Sequence, residues 1–238
     1  MGTEQQSTSS WTAWLRNRIR HTVPEGQWLP DRQPTYVHSW VYVFGVATLA
    51  ALLYVLASGV VLIIGGPTWW HTSSVGHFFN STHLWSVELF FVFMVIHLWA
   101  EFFKAAWRGK RALTWVIGAV AFIGSIATAF TGYLSQTNFD SQWISTQAKD
   151  GLNSVGIGSV FNVLNTGQML MWHIMLLPLI VGVLVVLHVI LVRRHGVVPP
   201  IDAEPPERAT PVPTESPAEA VHVPTAGATT AESADVSQ

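Results

Sequence analysis

The sequence predicts an all-α membrane protein, a bundle of four transmembrane helices, and three observations predict it. Four apolar stretches, about 41–64, 84–106, 115–134 and 169–192, stand out from the rest of the chain. At a rise of ~1.5 Å per residue each is long enough to cross a hydrocarbon core ~30 Å thick. The connecting segments alternate between basic and non-basic. Two of the four stretches carry a pair of histidines each: His83 and His97, 14 apart, and His173 and His188, 15 apart.

Composition narrows the chemistry. Of the 238 residues, 50% are hydrophobic and 11% charged, less than half the charged fraction of ~25% usual in soluble domains. The chain contains no cysteine. That excludes thioether attachment of a haem, a cysteine-ligated iron–sulfur cluster, a zinc–thiolate site and any disulfide. The formal net charge of −2 comes with no basic tract, so nothing points to nucleic acid. No apolar core of signal-peptide length occurs in the first 38 residues, and the first span itself is expected to direct insertion.

Three regions follow in order. Residues 1–38 form a cytoplasmic polar segment in which Trp11, Trp14, Leu15 and Ile19 recur at near-helical spacing among Arg16, Arg18 and Arg20. This predicts a basic amphipathic helix on the membrane surface, ended by Pro24, Pro30 and Pro34. Residues 39–195 form the membrane domain. The first span is uncharged and should stop at Gly65-Gly66-Pro67. Residues 196–238, rich in Pro, Ala, Thr and Glu, lack the large apolar side chains a core needs and should be a disordered cytoplasmic tail.

Charge sets the expected orientation. Arg16, Arg18, Arg20 and Arg32 precede the first span, and residues 65–82 contain no Lys or Arg. Lys104, Arg108, Lys110 and Arg111 follow the second span, Lys149 alone lies in 135–167, and Arg193 and Arg194 follow the fourth. The positive-inside rule then puts both termini in the cytoplasm. Trp40, Trp107 and Trp115 mark the inner interface, and Trp69, Trp70, Trp85 and Trp172 the outer one.

The histidines carry the chemistry. The second and fourth spans run the same way, so His83 matches His173 in depth and His97 matches His188. Fourteen residues return to about −40° of the same helix face and fifteen to about +60°, with a rise of roughly 21–22 Å. Intramembrane histidine is costly and needs a partner. A hydrogen bond to a neighbouring helix would satisfy any one of them, but two depth-matched pairs fit two stacked haems better, each clamped by imidazoles from both helices. The pairs are too far apart to share one ion. His38, His71, His77, His195 and His222 fall in loops or tails and are expected to face water.

Glycines repeat the spacing. Gly45 and Gly59 in the first span are 14 apart, as are Gly118 and Gly132 in the third. Without a side chain, glycine lets a flat macrocycle approach the backbone. Ordinary small-residue helix packing is the alternative reading of these positions.

These motifs resemble a known family. His83-Leu-Trp-Ser, His97, Leu113-Thr-Trp-Val-Ile-Gly118, Thr131-Gly132-Tyr133 and the stretch from His173 through His188 to Arg193 are similar to the N-terminal half of cytochrome b of bc-type quinol oxidoreductase complexes. The 14-then-15 histidine spacing resembles the short split form of chloroplasts and cyanobacteria. Coverage is about residues 10–200. The resemblance implies a four-helix bundle holding two non-covalent haem b groups. His83 and His173 would ligate the outer haem, and His97 and His188 the inner one. It implies electron transfer from quinol at the outer haem to quinone at the inner. The implied partners are a Rieske iron–sulfur protein, a subunit supplying the missing C-terminal half, quinone, membrane lipid and a second copy of the chain. The implied location is a bacterial-type plasma membrane. Arg193 would sit near the inner haem, facing a propionate or quinone oxygen, unless it serves only as a topology-setting charge.

The chain departs from that pattern in places. Leu134-Ser135-Gln136 stands where the family has Leu-Pro-Trp, and Leu84 where it often has arginine. The Pro-Glu-Trp-Tyr motif of the C-terminal half is absent, and so is the cysteine that attaches the split family's extra haem. Two other readings stay open: a haem b membrane anchor of a dehydrogenase or hydrogenase, and a haem-free scaffold derived from a cytochrome b. Glu88 is the one acid well inside a span. It lies about 140° from His83 and about 180° from His97 on the helix wheel. It is expected to be a neutral, hydrogen-bonded acid near the outer interface, a proton relay or a contact for a partner subunit.

Overall fold

The computed structural model describes residues 35–200 together with Trp11, Trp14, Asn17, Arg18 and His21. Those five are helical and exposed. The rest of the predicted surface helix and the tail from residue 201 lie outside the described residues.

Six α-helices build the described part: α1 (Val43–Thr72), α2 (Ser74–Phe103), α3 (Ala112–Leu134), α4 (Phe139–Ser154), α5 (Thr166–Met171) and α6 (Leu177–His195). Two short 3-10 turns, Thr35–His38 and Trp40–Tyr42, lead into α1, and no strand occurs among the described residues. A π-helical turn, Trp172–Leu176, joins α5 to α6. Four segments are long and apolar enough to cross a membrane: Trp40–Thr72, Ser74–Phe103, Gly109–Leu134 and Thr166–His195. The chain is thus a helical membrane protein of four spans.

The helix bounds differ from expectation at one end of the bundle. Gly66 takes a left-handed φ of 78°, which kinks α1, but the helix resumes at once. Pro67 opens the new turn, where a missing N–H costs nothing. α2 starts ten residues before the predicted Leu84, because Ser73 caps it by accepting the Gly76 N–H at 3.4 Å. A polar helical extension carries no hydropathy signal. In the predicted loop 135–167 stands α4, capped by Asn138 accepting from the Ser141 N–H at 2.8 Å. Leu134, Val163 and Met169 form a small core beneath it.

Packing is by pairs. α1 lies along α2, and α3 lies along α6, whereas α2 and α3 touch only sparsely. The two helix pairs face each other, and the four span histidines project where they meet.

Candidate functional site

His83 on α2 faces His173 on the π turn, and His97 on α2 faces His188 on α6. The ring centres are 6.2 Å apart in the first pair and 6.4 Å in the second. The rings stand at 87° and 88°. An imidazole nitrogen bonds a first-row metal at about 2.0–2.1 Å. Adding about 1.2 Å from nitrogen to ring centre on each side puts two rings trans to one metal about 6.4 Å apart. The ring separation in each pair is compatible with one metal ion between the two imidazoles. No group of three or more His, Asp or Glu side chains able to hold a metal ion occurs among the described residues, so the span histidines stand in twos and form no cage.

The tautomers suit that role. His173 Nδ1 donates to the Thr128 carbonyl at 2.8 Å, and His188 Nδ1 donates to the Thr114 carbonyl at 2.9 Å. A carbonyl only accepts, so the proton sits on Nδ1 and the Nε2 lone pair is free. His83 Nδ1 lies 2.9 Å from the Ser58 hydroxyl. No described group accepts from the His97 ring.

The spacing of 15 in the fourth span is absorbed by the π turn. A π turn holds one residue more than an α turn. Pro178 has no N–H, and its ring clashes with the carbonyl four residues back, which accounts for a widened turn just before it. The extra residue is taken up between His173 and His188. The two histidines then return to nearly one face, as the pair 14 apart does on α2.

The glycines meet imidazoles rather than open space. A Cβ on Gly45 would stand 3.3 Å from His97 Cε1, and one on Gly59 would stand 3.3 Å from His83 Cε1. On α3 the fit is tighter: 2.9 Å from Gly118 to His188 Cε1, and 2.7 Å from Gly132 to His173 Nδ1. Each histidine lies against one glycine of the opposing or neighbouring helix. The close approach at these glycines is made by the imidazole rings. On α3 each ring also reaches the carbonyl four residues before its glycine. Thr114…Gly118 and Thr128…Gly132 repeat that spacing in the sequence.

A family model described as "Cytochrome b(N-terminal)/b6/petB" matches residues 88–225. The chain belongs to this cytochrome b family. It is 28% identical over 137 residues to "Cytochrome b6" of Heliomicrobium gestii, a match covering 53% of this chain and 64% of that protein. It is 27% identical over 213 residues to "Cytochrome bc complex cytochrome b subunit" of Chlorobaculum thiosulfatiphilum, covering 79% of this chain and 49% of that one. The chain therefore spans about half to two-thirds of the length of these relatives. Its fold matches a chain of "Hyperthermophilic respiratory Complex III" with a TM-score of 0.66 at 22% identity, over 85% of this chain and 59% of that one. The family match includes His97, His173 and His188 and begins five residues after His83.

Around the site, this cytochrome b-family chain places its other polar groups unevenly. Arg193 is exposed and bonds no described residue. Arg111, counted in the sequence only as a topology-setting charge, donates to the carbonyls of His195, Val197 and Gly196 at 3.2–3.5 Å and so holds the end of α6. Lys104 donates to Glu101 Oε1 at 2.7 Å and lies 3.9 Å over the Tyr42 ring. Glu101 Oε2 and Trp115 Nε1 are buried with no partner. At the other end, Ser135 caps the Gly132 carbonyl at 2.7 Å and the Gln136 carbonyl accepts the Ser141 hydroxyl. Leu134-Ser135-Gln136 thus forms the turn into α4. Beside it an apolar groove of about 550 Å³ is lined by Ala127, Phe130, Leu152, Val160, Phe161 and Trp172.

Glu88 is exposed. It lies five residues past His83, nine before His97 and fourteen past Ser74, where α2 begins. Tyr54 on α1 is also exposed, five residues from Gly59 and nine from Gly45. The two side chains therefore share one depth.

Proposed function

We propose that the chain is the dihaem cytochrome b subunit of a quinol–quinone oxidoreductase complex and carries electrons across the membrane. The observation that carries this is the two histidine pairs, each spaced for trans ligation of one metal and separated by ~21 Å of helix. Haem b supplies a one-electron carrier at each level when bound. The protein's own share is position and surroundings. His83 with His173, and His97 with His188, present lone pairs across the gap between helix pairs. Gly45, Gly59, Gly118 and Gly132 clear room for those rings. The buried, unpartnered Trp115 N–H is a donor suited to a haem carboxylate at the His97 level. Arg193 is placed where the same end meets water.

The basic segments put both termini in the cytoplasm, which makes the His83 level the outer one. The groove under α4 has the apolar lining that a quinone ring or tail needs. Its lack of polar side chains leaves proton acceptance to a Rieske protein or to a subunit supplying the missing half. A homodimer is the expected assembly. Glu88 and Tyr54, unpartnered at one depth, mark a face for a partner helix rather than lipid, since a carboxyl toward lipid is costly. In native membranes Glu88 should resist dicyclohexylcarbodiimide, while the chain isolated in detergent should be labelled there. Equal labelling would place Glu88 against lipid.

The first test is a dithionite-reduced minus oxidised spectrum of the purified chain with haem quantitation. About two b-type haems per chain are expected. A folded chain from haem-supplied cells that carries none would overturn the proposal.

A further inference from the structure

Three of the four span histidines have an acceptor for Nδ1, and the one at His83 is of a different kind. His173 and His188 use backbone carbonyls that the helix itself fixes. His83 uses the hydroxyl of Ser58, a side chain buried within the α1–α2 pair. The Ser58 hydroxyl lies 2.8 Å from the Tyr54 carbonyl and 3.1 Å from the Val55 carbonyl, both of which can only accept. Its hydrogen therefore points back along α1, and its oxygen is left to receive the His83 N–H. A short chain results: imidazole N–H to hydroxyl, hydroxyl to helix carbonyl. Gly59, the next residue, gives the ring its room. The dipeptide Ser58-Gly59 thus supplies both the acceptor and the clearance, and α1 at the His97 level supplies only the clearance, from Gly45.

Resting on the reading of His83 as a haem ligand, we infer that Ser58 is a positioning residue that holds the His83 tautomer and sets the potential of the haem between His83 and His173. The physics has a definite sign. Donating Nδ1–H to an acceptor makes the imidazole a stronger base and a stronger iron ligand. A stronger donor favours the ferric form, so the bond lowers the potential. Removing the acceptor raises it. The hydroxyl also fixes the ring plane, because rotation about the Cβ–Cγ bond breaks the bond.

The deciding comparison is Ser58→Thr against Ser58→Val in the haem-loaded full chain, since the two differ only in hydroxyl against methyl. The readouts are a potentiometric titration of both haems and the ferric electron paramagnetic resonance signal. Ser58→Thr should keep both potentials. Ser58→Val should raise the potential at the His83 level, a tenfold shift in ferric-to-ferrous preference being 59 mV for one electron. It should also move that haem's ferric signal and leave the other haem unchanged. Equal potentials in the two variants, shifted or not, would overturn the inference and leave Ser58 a packing residue. Loss of the haem in Ser58→Val with retention in Ser58→Thr supports it, and loss in both overturns it. A wild-type chain without haem would instead overturn the underlying ligand reading, so the two failures are distinct.

Discussion

Replacing His97 with leucine is expected to lower the haem content from about two to about one per chain, with loss of the haem proposed to lie between His97 and His188. An axial imidazole contributes a coordinate bond that leucine cannot replace, and among the described residues no third His, Asp or Glu clusters with the pair. Methionine or histidine could ligate haem iron, but Met94, buried on the same side of α2, stands one turn and ~4.5 Å along the axis from the level of His97. The His83 level should survive, at least in part, because its ligands come from the other ends of the same helices and its own glycines are untouched. His188→Leu should behave alike. Pyridine haemochrome quantitation and the reduced spectrum check both. Full retention of two haems in either variant would refute the assigned ligands. Loss of both would show that the helix pairs need both groups to stay together.

Gly132→Ala should cost more than Gly59→Ala, although both glycines back the same histidine pair. A Cβ at 132 stands 2.7 Å from His173 Nδ1, where the ring is already held by the Thr128 carbonyl. The ring cannot retreat without breaking that bond, and the carbonyl belongs to the helix that carries the glycine. A Cβ at 59 stands 3.3 Å from His83 Cε1, which a few tenths of an ångström relieve. Gly132→Ala is therefore expected to lose the haem at the His83 level and to destabilise the bundle by about 1–3 kcal/mol, as overpacked cores do. Gly59→Ala should keep both haems. On the same grounds Gly118→Ala should affect the His97 level more than Gly45→Ala does. Haem content and thermal unfolding in one detergent rank the four variants, and equal losses across them would contradict the geometry.

The contrast between these glycines shows how much was legible beforehand. The four spans follow from apolar length alone, since hydropathy and the length a bilayer demands are properties of the chain. The pairing of His83 with His173 and His97 with His188 also follows, because helical rise converts spacing into depth. The glycine repeat was visible, and the structure adds that each of these glycines lies against one of the four imidazoles. Family membership rested on the same residues.

Other features were not legible, each for a physical reason. The π turn at Trp172–Leu176 reconciles spacings of 14 and 15, but a single widened turn leaves no periodic trace beyond Pro178. The early start of α2 and the presence of α4 depend on side-chain caps at Ser73 and Asn138, which hydropathy ignores. The hold of Arg111 on the end of α6 was not legible either, because which basic side chain reaches a carbonyl depends on how two distant turns are brought together. The hydroxyl of Ser58 is unremarkable in an apolar run until α1 lies against α2. The sequence by itself determined which helices cross and at what depth each histidine sits, because both are one-dimensional quantities. Only the tertiary structure decided which atom each imidazole donates to and how closely each glycine approaches, because those depend on the packing of two helices across a few ångströms.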